Sequence, residues 1–286
     1  MKINAYAKIN IGLDVLARRP DGYHEVRRVM LTVGLHGVIT VETCDEPGIS
    51  ISSDSWKVPL GEDNLIYKAA ALIMKEYSLL RGVRIRLTKN IPVAAGLAGG
   101  STDAAATLRA IDRLYDLGLS DDRLCELGVR IGADVPYCLT GGTVLCEGIG
   151  EKMTKLDAHP SCTVLLAKPP EGVSTAYVYK HLELDKVTHP DIDAIIDGIR
   201  AKNLSAVASH TGNVLESVTI PEHPVIGRIK DIMRNNGAKA SLMSGSGPTV
   251  FGLFESEDDA KKAFGELERS QTDLELIITD IYNPER

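Results

Sequence analysis

Apolar and polar residues alternate over the first sixteen positions. Ile3, Ala5, Ala7, Ile9, Ile11, Leu13 and Val15 share one parity; Lys2, Asn4, Lys8, Asn10 and Asp14 share the other. A period of two predicts a half-buried strand over 2–16, with Lys8 and Asn10 pointing the same way, off the core face. Arg18-Arg19-Pro20-Asp21-Gly22 reads as a turn that delivers Tyr23, His24 and Glu25 to its far side. Further strands are predicted near 26–33, 38–43 and 49–53. Asn64 is placed to cap an amphipathic helix running to about 78, and Val83, Ile85 and Leu87 alternate as another strand.

That strand leads into a glycine-rich stretch, after which Ala104, Leu108, Ile111 and Leu114 fall at helical spacing, with Gly118 as the predicted stop. Ser120 caps the next predicted helix, to about 131, which ends at the bend Gly132–Pro136; Thr143–Glu147 follows as a strand. The second half has another rhythm. Strand 162–168 precedes helices near 174–183, 191–201 and 203–210. Then come helix 224–236, strand 239–244, a glycine-rich turn, strand 249–254, helix 256–270 and strand 274–282. With the inserted helices set aside, this is the β-α-β-β-α-β order of a ferredoxin-like unit. The fold class is α+β, in two domains of 1–155 and 156–286.

The chain of 286 residues is long enough for two such cores, and 44% hydrophobic with 25% charged is ordinary for a globular protein. A net charge of −7 argues against a broad basic face for nucleic acid. No apolar run approaches a membrane span, and polar residues interrupt the N-terminal segment, so the cytoplasm is the expected location. The cysteines at 44, 125, 138, 146 and 162 form no C-x-x-C pair and read as reduced, mostly packed thiols.

The strongest local chemistry lies in Pro92-Val93-Ala94-Ala95-Gly96-Leu97-Ala98-Gly99-Gly100-Ser101-Thr102. Small residues let backbone approach an anion, a helix start adds unpaired N–H groups, and Ser101 and Thr102 add hydroxyls for a phosphate or its magnesium. The run lacks the lysine of a Walker A loop and the G-x-G-x-x-G spacing of a dinucleotide site. A tight strand–helix turn, packed closely and binding nothing, explains the same residues.

The run resembles the phosphate loop of the GHMP kinases, with Ala98 where many members have Gly and Thr102 where many have a second Ser. Other stretches are similar to the branch that acts on 4-diphosphocytidyl-2-C-methyl-D-erythritol: Ala7–Ile11 with Arg19–Glu25, Gly132–Pro136, and Gly245–Phe251. They follow the family order along nearly the whole chain. The resemblance implies a mixed β/α N-terminal domain of the ribosomal-protein type and a ferredoxin-like C-terminal domain. It also implies ATP-dependent phosphorylation of that substrate's 2-hydroxyl, with Mg²⁺, in the non-mevalonate route to isoprenoid precursors. No nucleic-acid or membrane partner is implied.

Residue by residue, the resemblance makes Asp134 the base that takes the hydroxyl proton. It makes Lys8 the cation that pairs with Asp134 and offsets charge. Asn10 would hydrogen-bond the substrate, Tyr23 and His24 would hold the cytosine, and Thr175 and Tyr179 would complete that pocket. Pro92–Thr102 would hold the triphosphate, with Asn64 and Lys89 near adenine and ribose. Asp103 beside the loop would repel phosphate directly, so magnesium or its water would mediate. The residues alone leave plainer readings open: Asn64 as a helix cap, Lys89 as an exposed strand end, Tyr179 as helix packing and Asp134 as a turn former. A homoserine or mevalonate kinase would leave Arg19–Glu25 without a cytosine to bind.

Overall fold

A computed structural model describes residues 1–270 and 273–284. The chain opens with β1 (Lys2–Arg18), β2 (His24–Cys44), β3 (Ile49–Ser53), α1 (Leu65–Glu76), β4 (Gly82–Thr88), α2 (Gly99–Leu114), α3 (Asp121–Val129) and α4 (Val135–Thr140). It continues through β5 (Thr143–Gly148), β6 (Lys152–Lys155), β7 (Thr163–Lys168), α5 (Thr175–His181), α6 (Ile192–Arg200), α7 (Leu204–His210), β8 (Gly212–Asn213) and α8 (Glu216–Glu222). It closes with α9 (Pro224–Asn235), β9 (Ala240–Met243), β10 (Val250–Phe254), α10 (Glu257–Ser270) and β11 (Glu275–Asp280).

Contacts divide the chain into two compact units. One comprises 1–7, 35–93 and 98–141; the other comprises 8–34, 94–97 and 142–286. In the first, the later part of β2 runs antiparallel to β4, and β3 runs parallel to β4. The inward parity of this sheet, including Ile39, Val41, Val83, Ile85 and Leu87, packs against α1, α2, α3 and α4. Three alanines in a row, 104–106, line the buried face of α2 and let it pack closely.

In the second unit, the early part of β2 pairs with β5 and β5 with β6, while β1 runs parallel to the short β8 at Gly12↔Gly212 and Leu13↔Asn213. A separate four-stranded antiparallel sheet has the order β11-β7-β10-β9, the ferredoxin-like arrangement expected from the element order. Ile226, Ile229 and Met233 of α9 and Ala260, Ala263 and Leu267 of α10 bury against Leu165, Val250 and Phe254 of that sheet. Each large aliphatic side chain so buried contributes roughly 1.5–3 kcal/mol.

The caps expected at Asn64 and Ser120 are present, and Ser174 caps α5 in the same way, each side chain accepting from a backbone N–H two or three residues on. Several expectations needed correction. The strands near 26–33 and 38–43 are one, β2, because the intervening glycines stay extended. At Gly37 a Cβ would stand 3.0 Å from the Thr88 carbonyl, so closeness and not turning requires the glycine. Gly118 does not stop α2. Asp116, at φ 51, takes the left-handed position, and the Leu117 N–H bonds the Asp112 carbonyl. The bend at 132–136 opens α4, with Pro136 in its first turn where a missing N–H costs nothing. β6, β8 and α8 were not anticipated. The polar parity of β1 faces solvent only at its start: Lys2 and Asn4 are exposed, whereas Lys8 is 4% exposed, Asn10 0% and Asp14 5%.

Candidate active site

Lys8 is held from the middle of β1. Its ammonium donates to the Asn10 side-chain oxygen at 2.7 Å and to the Gly96 carbonyl at 3.0 Å, and its backbone N–H bonds the Leu97 carbonyl at 3.2 Å. A buried cation is tolerated only with such partners. The Asn10 amide nitrogen is buried and has no hydrogen-bond partner among the described residues. An unpaired buried donor costs about 1–3 kcal/mol, which a ligand oxygen placed there would recover.

Gly96 explains why the glycine-rich stretch needs its glycines. It sits at φ +72, and a Cβ there would collide with the Ser244 carbonyl. Ala94 and Ala98 are also left-handed, at φ 54 and 56, so alternate residues of the stretch turn the backbone the same way. Successive N–H groups in such a run form an anion-binding concavity. Ala98 then precedes α2 without a side-chain cap bond, leaving the opening N–H groups of a 16-residue helix to other partners. Ser101 is half-buried and Thr102 buried in the first turn.

Behind this helix start, the Lys89 ammonium lies 2.6 Å from the Asp103 carboxylate and 2.9 Å from the Gly99 carbonyl. Both side chains of the pair are 5% exposed, so Lys89 is not the exposed strand end considered from sequence. Burial pushes the Asp103 carboxyl up to about 6, against the opposing pull of Lys89. Asn64 uses its oxygen on the Ile66 N–H at 2.8 Å and its nitrogen on the Pro59 carbonyl, as a helix cap does. Asp134 is half-buried at the N-terminal end of α4, where its side chain makes no capping hydrogen bond.

Comparison with known proteins gives the family. The family model for the GHMP kinases N terminal domain matches residues 64–142, and that for the GHMP kinases C terminal matches 195–272. A 4-diphosphocytidyl-2-C-methyl-D-erythritol kinase of Caldicellulosiruptor bescii is 50% identical over 264 residues, 92% of each chain. One of Lachnospira eligens is 49% identical over 285 residues, 99% of each. A crystal structure of a 4-(cytidine 5'-diphospho)-2C-methyl-D-erythritol kinase superimposes with a TM-score of 0.85 at 32% identity, over 99% of this chain and 100% of that one. The chain belongs to the GHMP kinases, in the branch of the 4-diphosphocytidyl-2-C-methyl-D-erythritol kinases. It is a small-molecule kinase. Among its described residues no helix is long and apolar enough to cross a membrane.

In this kinase the Arg19–Glu25 run is internally wired. Arg19 pairs with Asp21 at 3.1 Å and with Glu25 at 2.9 Å, and Asp21 accepts the Tyr23 N–H at 3.1 Å. That leaves Tyr23 58% exposed on the turn. The His24 and Tyr179 rings stand 5.1 Å apart at 46°, so the structure brings these two predicted residues together. Burial, with the Arg18 charge as a second cause, holds His24 below the ordinary imidazole range, and its Nε2 is buried with no hydrogen-bond partner among the described residues. Tyr179 also packs on the hydrophobic core, so helix packing accounts for part of its placement.

The Thr175 hydroxyl meets that of Ser246 at 2.7 Å, joining α5 to the second glycine turn. Two residues that bear on this region went unnoticed in the sequence. Ser244 donates to the Gly96 carbonyl at 3.0 Å, and Asn213 bonds the Met243 and Gly245 carbonyls. Neither belongs to a periodic pattern, and no local signal would have found them.

Proposed function

We propose that this kinase transfers the γ-phosphoryl group of ATP to the 2-hydroxyl of 4-diphosphocytidyl-2-C-methyl-D-erythritol, in the non-mevalonate route to isoprenoid precursors. The observation that carries the reading is the Lys8–Asn10 pair, a buried ammonium beside a buried amide with an unspent donor. In this reading Asp134 accepts the hydroxyl proton and Lys8 offsets the charge on the reacting oxygen. Asn10 donates to the substrate. Much of the rate enhancement is alignment and charge stabilisation.

The turn from Pro92 to Thr102 and the uncapped start of α2 hold the triphosphate, with Asn64 and Lys89 on the nucleotide side. Lys89 and Asp103 brace Gly99 at the opening of that helix. The residues present fit magnesium as a partner of the phosphates: Ser101 and Thr102 offer hydroxyls, while Asp103 is committed to Lys89. Ser101 and Thr102 would help to hold the ion, which would supply charge neutralisation for the phosphates. Tyr23, His24, Thr175 and Tyr179 hold the cytidylyl group, and the orphaned His24 Nε2 supports a polar contact to the base edge. The same reading makes the enzyme cytoplasmic, with domains of 1–155 and 156–286.

ADP release measured with the cytidylyl substrate, homoserine and mevalonate in parallel tests the reading. Turnover with the first alone is expected. Turnover with homoserine or mevalonate, and none with the cytidylyl substrate, would overturn it.

A further inference from the structure

One buried side chain outside the assigned residues grips both flanks of the second glycine turn. Asn213 is 7% exposed. Its amide nitrogen donates to the Met243 carbonyl at 2.8 Å and to the Gly245 carbonyl at 2.7 Å, and its oxygen accepts the Leu215 N–H at 3.0 Å. The two carbonyls it holds lie on either side of Ser244.

Ser244 is fully buried, and its hydroxyl donates to the Gly96 carbonyl at 3.0 Å. That same oxygen receives the Lys8 ammonium at 3.0 Å. A carbonyl oxygen has two lone pairs, so the hydroxyl and the ammonium can both be served only if each approaches along its own direction. The direction of the Ser244 hydroxyl is set by the backbone of the turn. That backbone closes on itself through Ser244 N–H to Thr249 carbonyl, 2.9 Å, and Gly247 N–H to Ser244 carbonyl, 3.0 Å. At its β9 end, Glu216, paired with the buried Lys230, accepts the Met243 N–H at 2.8 Å. The backbone of Asn213 pairs with Leu13 of β1, the strand that carries Lys8.

We infer that Asn213 is a positioning residue for Lys8: by holding the Met243 and Gly245 carbonyls it keeps the Ser244 hydroxyl on the Gly96 carbonyl, the oxygen that anchors the Lys8 ammonium. The inference rests on Lys8 acting at the reacting hydroxyl. A group that touches no substrate but fixes one that does acts on the chemical step more than on binding, because displacement of a charge by a fraction of an ångström is felt most in the transition state.

Steady-state kinetics of Asn213→Ser, Ser244→Ala and Lys8→Met, with thermal melts to establish folding, test it. Asn213→Ser keeps one donor for two carbonyls. Ser244→Ala removes the hydroxyl and leaves every Asn213 bond in place, so it decides the matter if Asn213→Ser does not fold. Both variants are expected to lower kcat by roughly tenfold while the KM values for ATP and the cytidylyl substrate stay within about twofold. A folded Ser244→Ala enzyme with native kcat, or a loss confined to KM, would overturn the positioning role. Lys8→Met separates the two ideas. If it retains kcat, the assignment of Lys8 is wrong; if it is inactive while Ser244→Ala is native-like, only the positioning inference falls.

Discussion

Lys89 and Asp103 form a buried ion pair at 2.6 Å, one partner just past the end of β4 and the other in the opening turns of α2. Removing one member of such a pair leaves the other charge uncompensated, at a cost of about 3–5 kcal/mol where the orphan cannot neutralise itself. Asp103 can. Burial already raises its carboxyl to about 6, and loss of Lys89 removes the influence that lowers it. In Lys89→Met the folded chain therefore binds a proton that the unfolded chain, with an ordinary carboxyl near 4, does not. Stability then falls as pH rises through and above 6, and is greatest below the unfolded value. Urea melts should show a larger deficit against the native protein at pH 8 than at pH 5. An equal deficit at both would sink the argument.

The elements that could be read along the chain are those whose determinants are local. Asn64, Ser120 and Ser174 each bond a backbone N–H within three residues, so cap and helix announce themselves together. The alternation of β1 likewise marks its core parity. The fate of its other parity was not legible. Lys8 is buried by a carbonyl 88 positions away, and that carbonyl is held in turn by a serine 148 positions further on. No periodicity encodes such a meeting. It depends on Gly96 and Gly245 allowing two backbone turns to approach, and the sequence shows the glycines without showing what they admit. Asn213 was missed for the same reason, since its bonds reach some thirty residues ahead to carbonyls that carry no side-chain signature.

Asp134→Asn keeps the shape of the side chain and removes its capacity to take a proton. If Asp134 is the base, kcat should fall on the order of 10²–10⁴-fold. ATP binding, followed by calorimetry with a non-hydrolysable analogue, should change little, because Asp134 stands at the start of α4 and not on the glycine-rich turn. A variant with native turnover would remove Asp134 from this role.

Tyr179→Ala tests the cytidylyl pocket. The ring stands 5.1 Å from that of His24 but also rests on the hydrophobic core, so truncation will lower stability as well. The two effects separate in kinetics. Loss of a base-stacking face is worth roughly 1–3 kcal/mol, or about fivefold to 150-fold in KM for the cytidylyl substrate, with KM for ATP unaffected. Equal rises in both constants would indicate a packing role alone. Tyr23→Ala should show the same selective rise with little change in melting temperature, since its ring is 58% exposed.

His159 offers a test of stability alone. It is buried, its Nδ1 lies 2.6 Å from the Pro160 carbonyl, its Nε2 has no partner among the described residues, and burial lowers its pKa to about 4. The unfolded chain takes up a proton near 6.5, and the folded chain resists until about 4. Between those values the unfolded state binds more protons, so the stability present above pH 6.5 is lost progressively as pH falls toward 4. At pH 5 this single imidazole accounts for about 2 kcal/mol of the loss relative to neutral pH. His159→Gln has no proton to gain. It should begin less stable at pH 7, because the ring fills its site better, yet lose less on going to pH 5. Urea midpoints for both proteins at the two pH values give the comparison, and parallel losses would show that another group governs the acid limb.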